Sequence, residues 1–126
     1  MSAVEQLLPY DSPLQRQPRV AEEDFELHGK PISKAQLLLS MLGAANRDPS
    51  QFKDPDRLDI CRCNNGHLAF GSGIHYCPGA ALSRLEGRIA FTAIVQRFPA
   101  ICLANPEQQW RENMSVRGLV SLPCTV

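Results

Sequence analysis

The chemistry in this chain concentrates in one stretch, Phe70-Gly71-Ser72-Gly73-Ile74-His75-Tyr76-Cys77-Pro78-Gly79. Two glycines precede a cysteine, and a helical pattern follows. Glycine at 71 and 73 permits a tight backbone loop that another surface can approach closely. Cys77 falls at the start of the helix, as its N-cap. Pro78 takes the first helical position, where its missing N–H costs nothing. The free N–H groups of a first helical turn, and the positive end of the helix dipole, stabilise a negative sulfur. A thiolate in a glycine loop, with Phe70 beside it as an apolar lid, suits a metal ligand on the face of a flat apolar cofactor.

The other four cysteines, at 61, 63, 102 and 124, carry less. Five cysteines is an odd number, and no disulfide framework is expected. Cys61-x-Cys63 with His67 has the start of a zinc pattern but no fourth ligand at usable spacing. Cys102 and Cys124 read as packing residues.

The elements that position the loop follow from spacing and punctuation. From Pro78, Leu82, Leu85, Ile89 and Ala93 recur at three and four, and Phe91, Ile94, Val95 and Phe98 widen the apolar arc. The helix ends near Arg97, ahead of Pro99, and spans roughly 28 Å. Val4 to Leu8 reads as a short helical stretch ended by Pro9. Residues 14–40 read as short strands, with Phe25-Glu26-Leu27 and Lys30-Pro31-Ile32 joined by His28-Gly29 in a two-residue hairpin. Gln36 to Leu42 is apolar but too short to assign by pattern. Asn46 to Asn65 is rich in Asp, Pro and Arg and reads as one helical turn near Ser50 within a long irregular loop. The C-terminal residues read as short strands and turns.

Composition bounds the function. The 126 residues suffice for one modest domain, and formal net charge is zero with 44% hydrophobic residues. That balance gives no reason to expect a nucleic-acid partner. No apolar run approaches the ~20 residues that span a bilayer, and Met1 to Glu5 lacks the layout of a signal peptide. No membrane association is expected, and a cytoplasmic location is.

Phe70, Gly73, Cys77 and Gly79 form F-x-x-G-x-x-x-C-x-G, which resembles the haem-binding signature of the cytochrome P-450 superfamily. Leu42-Gly43-Ala44-Ala45-Asn46-Arg47-Asp48-Pro49, Asp54-Pro55-Asp56-Arg57-Leu58-Asp59-Ile60 and His67-Leu68-Ala69-Phe70-Gly71 resemble its bacterial branch. The resemblance covers residues 1–126 as one C-terminal haem-binding segment. It implies an α+β fold, the C-terminal part of the P-450 architecture. The parts in order are the end of helix K, short mixed strands, a meander loop, the Cys-ligand loop, a long helix L and terminal strands. It implies haem b as cofactor, with Cys77 as axial iron ligand. It places Arg19 and His75 at the propionates and Phe70 as shield of the sulfur, and completes the cofactor-binding set with Gly71, Gly73 and Gly79. Residues near Gln17 to Ala21 and Gly118 to Leu122 resemble segments that border the substrate pocket. The implied activity is a monooxygenase acting on an apolar small molecule.

Three departures qualify it. A complete member is about three times as long, and the absent part includes the central oxygen-activating helix, so no residue here is expected to be catalytic. The Glu-x-x-Arg motif is replaced, with Gln6 at the glutamate and Pro9 at the arginine. Arg57, which resembles the meander arginine, then lacks both charged partners and is expected to turn to solvent. Ala35 stands where a turn glycine is usual, and Pro78 where leucine is common. The alternative function is therefore a non-catalytic remnant, or one part of a split protein, with impaired haem binding. Arg84 and Arg88, four apart, are either a solvated face or a docking patch for an acidic ferredoxin- or flavodoxin-type electron donor. Without the missing helices, one face of the long helix is expected to be exposed.

Overall fold

The computed structural model describes residues 3–63 and 65–126. Helix α1 (Ala3–Tyr10) is followed by strands β1 (Gln17–Val20), β2 (Phe25–Leu27), β3 (Lys30–Ile32) and β4 (Leu37–Ser40). The short helix α2 (Leu42–Ala45), a 3-10 turn (Gly73–His75), the long helix α3 (Ala80–Arg97) and strands β5 (Cys102–Leu103) and β6 (Cys124–Thr125) complete the order. The α+β expectation is met.

Among the described residues the strands form three antiparallel pairs, β1 with β4, β2 with β3, and β5 with β6. The expected hairpin is present, with Phe25 opposite Ile32 and Leu27 opposite Lys30. Both of its turn residues have positive φ, His28 at 49° and Gly29 at 75°, as a two-residue turn that follows strand twist requires. The ambiguous apolar run from Gln36 divides. Leu37–Ser40 pairs with β1, and Leu42 opens α2 as one of the few buried apolar side chains.

Helix α1 runs through Pro9 rather than stopping before it. Proline has no N–H to give the carbonyl four residues back. That carbonyl, on Glu5, instead accepts a hydrogen bond from the Asn65 side chain. A distant loop residue thus repairs the gap that would have ended the helix.

Irregular segments are tied by buried polar side chains. Ser12 donates to the Leu8 carbonyl at 3.0 Å, Asn46 Nδ2 donates to Ser12 Oγ at 2.8 Å, and the Leu68 N–H donates to Asn46 Oδ1 at 2.7 Å. Ser12 and Asn46 are both buried. One asparagine therefore joins the end of α1, the end of α2 and the approach to the cysteine loop. Near Ser50 the expected single turn forms, with the Gln51 and Phe52 N–H groups on the Asp48 carbonyl. In the meander beyond it, the central residue is Arg62 and not Arg57. The Arg62 guanidinium donates to the carbonyls of Lys53, Asp54 and Arg57. Arg57 itself is exposed, as expected.

Helix α3 starts at Ala80, with Gly79 as N-cap. This corrects the sequence reading, which put Cys77 at the cap and Pro78 inside the helix. The Cys77 carbonyl closes a separate turn to the Ala80 N–H at 3.2 Å, and the first helical bond runs from Ser83 to Gly79. The apolar side chains of α3 are exposed on more than the one expected face. Leu82, Leu85, Ile89, Phe91, Ile94 and Val95 all show large fractions of their surface. Exposed apolar side chains on more than one face are surfaces suited to cover by other elements. Its contact with α1 is close: a Cβ on Gly87 would lie 3.1 Å from Val4 Cγ1.

Candidate haem-thiolate site

The cysteine loop is built as its glycines predict. Gly71 has φ of 74° and Gly73 of 68°, conformations that side chains with a Cβ rarely adopt. They fold the backbone back so that the Cys77 N–H donates to the Phe70 carbonyl at 3.0 Å. The Tyr76 N–H donates to the Gly73 carbonyl at 3.0 Å and the Gly71 N–H to the Leu68 carbonyl at 2.9 Å. The sulfur lies against Gly79, where a Cβ would sit 3.8 Å from Sγ. Cys77 is half-buried and in no disulfide.

Cys77 opens onto a cleft of about 450 Å³ whose lining includes Leu8, Leu14, Phe70, Gly71 and His75. It is floored by the sulfur loop and walled by the end of α1 and the chain entering β1. The structure thus brings together Phe70, Gly71, His75 and Cys77 of the expected set. His75 is exposed at the cleft margin. Gln17 also lines it. Gln17 and Arg19 are the two half-buried positions of β1, so they share one face of the strand. Arg19 itself does not line the cleft, and its side chain donates to the neighbouring Pro18 carbonyl at 2.7 Å. An apolar cleft with one free sulfur at its floor and an imidazole side chain at its margin fits a flat apolar group bearing carboxylates.

Sequence reasoning missed the support behind the loop. Glu5 accepts from Arg84 Nε at 2.6 Å and from Nη2 at 3.4 Å. Arg84 Nη1 also donates to the Tyr76 hydroxyl at 3.0 Å, and its guanidinium carbon lies 4.7 Å from the Phe70 ring centroid. Arg84 therefore makes internal contacts while keeping about a third of its side chain exposed, and Arg88, one turn on, is exposed to solvent. His67 completes the group. Its Nδ1 accepts the Ala69 N–H at 3.1 Å and its Nε2 lies 3.5 Å from Glu5 Oε2. The arginine bonded to it holds the Glu5 carboxyl below the usual carboxylate range. Glu5 in turn raises the Arg84 guanidinium. Burial pushes His67 down, so the neutral imidazole is favoured, with its proton on Nε2 facing Glu5. The only sequence signal was a carboxylate on one apolar helix and an arginine on another, which no local pattern pairs.

Comparison with known proteins places this geometry. The chain is 47% identical to the polyketide biosynthesis cytochrome P-450 PksS of Bacillus subtilis (strain 168), over 99% of its own length and 32% of that protein's. It is 44% identical to the 6-deoxyerythronolide B hydroxylase of Saccharopolyspora erythraea, over 97% of its length and 31% of the relative's. The solved structure of PksS superposes with a TM-score of 0.95 at 48% identity, covering 98% of this chain and 32% of that one. A structure of P-450 BioI in complex with hexadec-9Z-enoic acid ligated acyl carrier protein gives 0.93 at 46%, covering 97% and 32%. The chain therefore spans about a third of the length of the relatives it matches. Relatives of this kind are haem-thiolate monooxygenases, hydroxylases and epoxidases among them. A cytochrome P-450 family model matches residues 6–123, and with the sulfur loop, cleft and fold in agreement, the chain belongs to the cytochrome P-450 family.

Proposed function

We propose that residues 1–126 form the haem-binding C-terminal segment of a monooxygenase, with Cys77 as the axial ligand of haem b. The observation that carries this reading is a free Cys77 sulfur at the floor of an apolar cleft, on a loop that Gly71 and Gly73 close. Phe70 covers the sulfur loop, Gly79 lets the backbone pass close to Sγ, and Arg19 and His75 supply charge or hydrogen bonds for the propionates. When bound, the haem supplies oxygen activation, one atom entering an apolar organic substrate and the other leaving as water. This chain's residues bind and orient that group and hold the sulfur, and the rest of the substrate pocket lies in the two-thirds that relatives possess in addition. Electrons come from a ferredoxin- or flavodoxin-type donor on the face that Arg88 occupies, in the cytoplasm. Similarity at this level across nearly the whole chain supports the monooxygenase reading over a non-catalytic remnant.

The test is reconstitution of the chain with haem, followed by the spectrum of the reduced, CO-bound form. The expected result is a Soret band at the thiolate-ligated position that Cys77→Ser abolishes. Haem uptake that Cys77→Ser leaves unchanged would remove the assignment.

A further inference from the structure

We propose that Arg84 is a positioning residue for the sulfur loop, acting through Phe70 and Tyr76 and anchored by Glu5. The inference rests on the haem-thiolate reading but concerns residues that the signature does not contain.

The geometry is specific. Glu5 is on α1, Arg84 on α3, and Phe70 and Tyr76 flank the loop at its two ends. The guanidinium lies on the Phe70 ring, bonds the Tyr76 hydroxyl and takes both Glu5 oxygens. The two rings meet edge to face, with centroids 6.4 Å apart. The Phe70 carbonyl receives the Cys77 N–H, and Tyr76 is the residue before Cys77. A single cation thus grips both ends of the loop whose closing bond carries the sulfur. A cation on an aromatic face and a two-pronged arginine–carboxylate pair are both directional. Together they fix the loop's position relative to the two helices, where either alone would leave it free to tilt. Phe70, pinned between the guanidinium and the His67 ring, whose centroid is 6.1 Å away, keeps one orientation behind the sulfur.

Amide hydrogen exchange on the chain as it stands tests this without haem. Arg84→Gln removes the cation, Tyr76→Phe removes only the hydroxyl, and Arg84→Lys keeps the charge without the fork. Arg88→Gln is the control one turn away. The expected result for Arg84→Gln is about tenfold lower protection at the Cys77 amide, the scale of one charge-assisted hydrogen bond. Tyr76→Phe and Arg84→Lys should give smaller losses, while Gly87 to Phe91 in α3 and the Arg88→Gln control stay unchanged. Unchanged protection at Cys77 in Arg84→Gln and Tyr76→Phe overturns the proposal. Equal loss in the loop and in α3 also overturns it, because Arg84 would then hold the fold and not the loop. The haem reading fails separately, if the wild-type chain shows no thiolate-type CO spectrum. In loaded protein, the reduction potential should shift in the same variant order.

Discussion

Gln6 Nε2 donates to the Arg62 carbonyl at 2.9 Å, from a side chain only 3% exposed. A neutral amide thus occupies the place where the family resemblance puts a glutamate, and it bonds to backbone where a carboxylate could not. Gln6→Glu would remove this donor and bury a charge opposite a carbonyl. We expect it to lower stability by about 1–3 kcal/mol. Adding Pro9→Arg supplies a cation and a helical N–H, so the double variant should recover part of the loss. Urea denaturation midpoints check both, and a double variant no more stable than Gln6→Glu would refute the coupling.

Ala35 has φ of 66°. Its N–H donates to the Ala21 carbonyl at 2.8 Å, so the turn is held in that shape. A Cβ in the left-handed region costs about 1–2 kcal/mol, which glycine avoids while losing some chain entropy on folding. Ala35→Gly should therefore raise stability by about 0.5–1 kcal/mol. A lower melting temperature in this variant would contradict the strain.

Asn46 is the single link between Ser12 and the Leu68 N–H. Asn46→Ala leaves a backbone donor near the cysteine loop without its acceptor, and should cost about 1–3 kcal/mol. Asn46→Asp keeps the acceptor for Leu68 but loses the donor to Ser12 and buries a charge, so above the carboxylate range it should cost at least as much, and less once acid protonates it. Equal denaturation midpoints for the three proteins would show that the bridge is immaterial.

Acid should act in two stages. His67 resists protonation in the folded chain, so below its ordinary value of 6.5 the unfolded chain binds the extra proton and stability falls with pH. Glu5 titrates below its ordinary 4.5 because Arg84 stabilises the carboxylate. Its contribution is complete above that value and is lost as pH falls through the lowered one. Melting temperature against pH should show both stages. His67→Gln should flatten the first and Glu5→Gln the second, and a profile that His67→Gln leaves unaltered would contradict the buried neutral imidazole.

Much of this was legible in the chain alone. The Gly71, Gly73 and Cys77 loop and the His28-Gly29 hairpin follow from what glycine permits, and long α3 follows from its apolar spacing. What sequence could not supply were contacts across distance. The Glu5–Arg84 pair joins residues 79 apart, and the Asn65 bond to the Glu5 carbonyl joins residues 60 apart. The start of α3 was misplaced by two residues because proline is as acceptable in a turn before a helix as in its first position. The exposure of α3 on several faces was underestimated because a wide apolar arc was read as amphipathic.

Arg62 separates two properties that usually travel together, visibility to solvent and vulnerability to cleavage. The segment from Lys53 to Arg57 is largely on the surface and offers two sites to a trypsin-like protease. Yet the carbonyls of both residues are occupied by one guanidinium, and a scissile bond must first leave such a partner to enter an extended groove. Nicking there should be slow while Arg62 stays in place, and the same peptide bonds should open readily once it is gone.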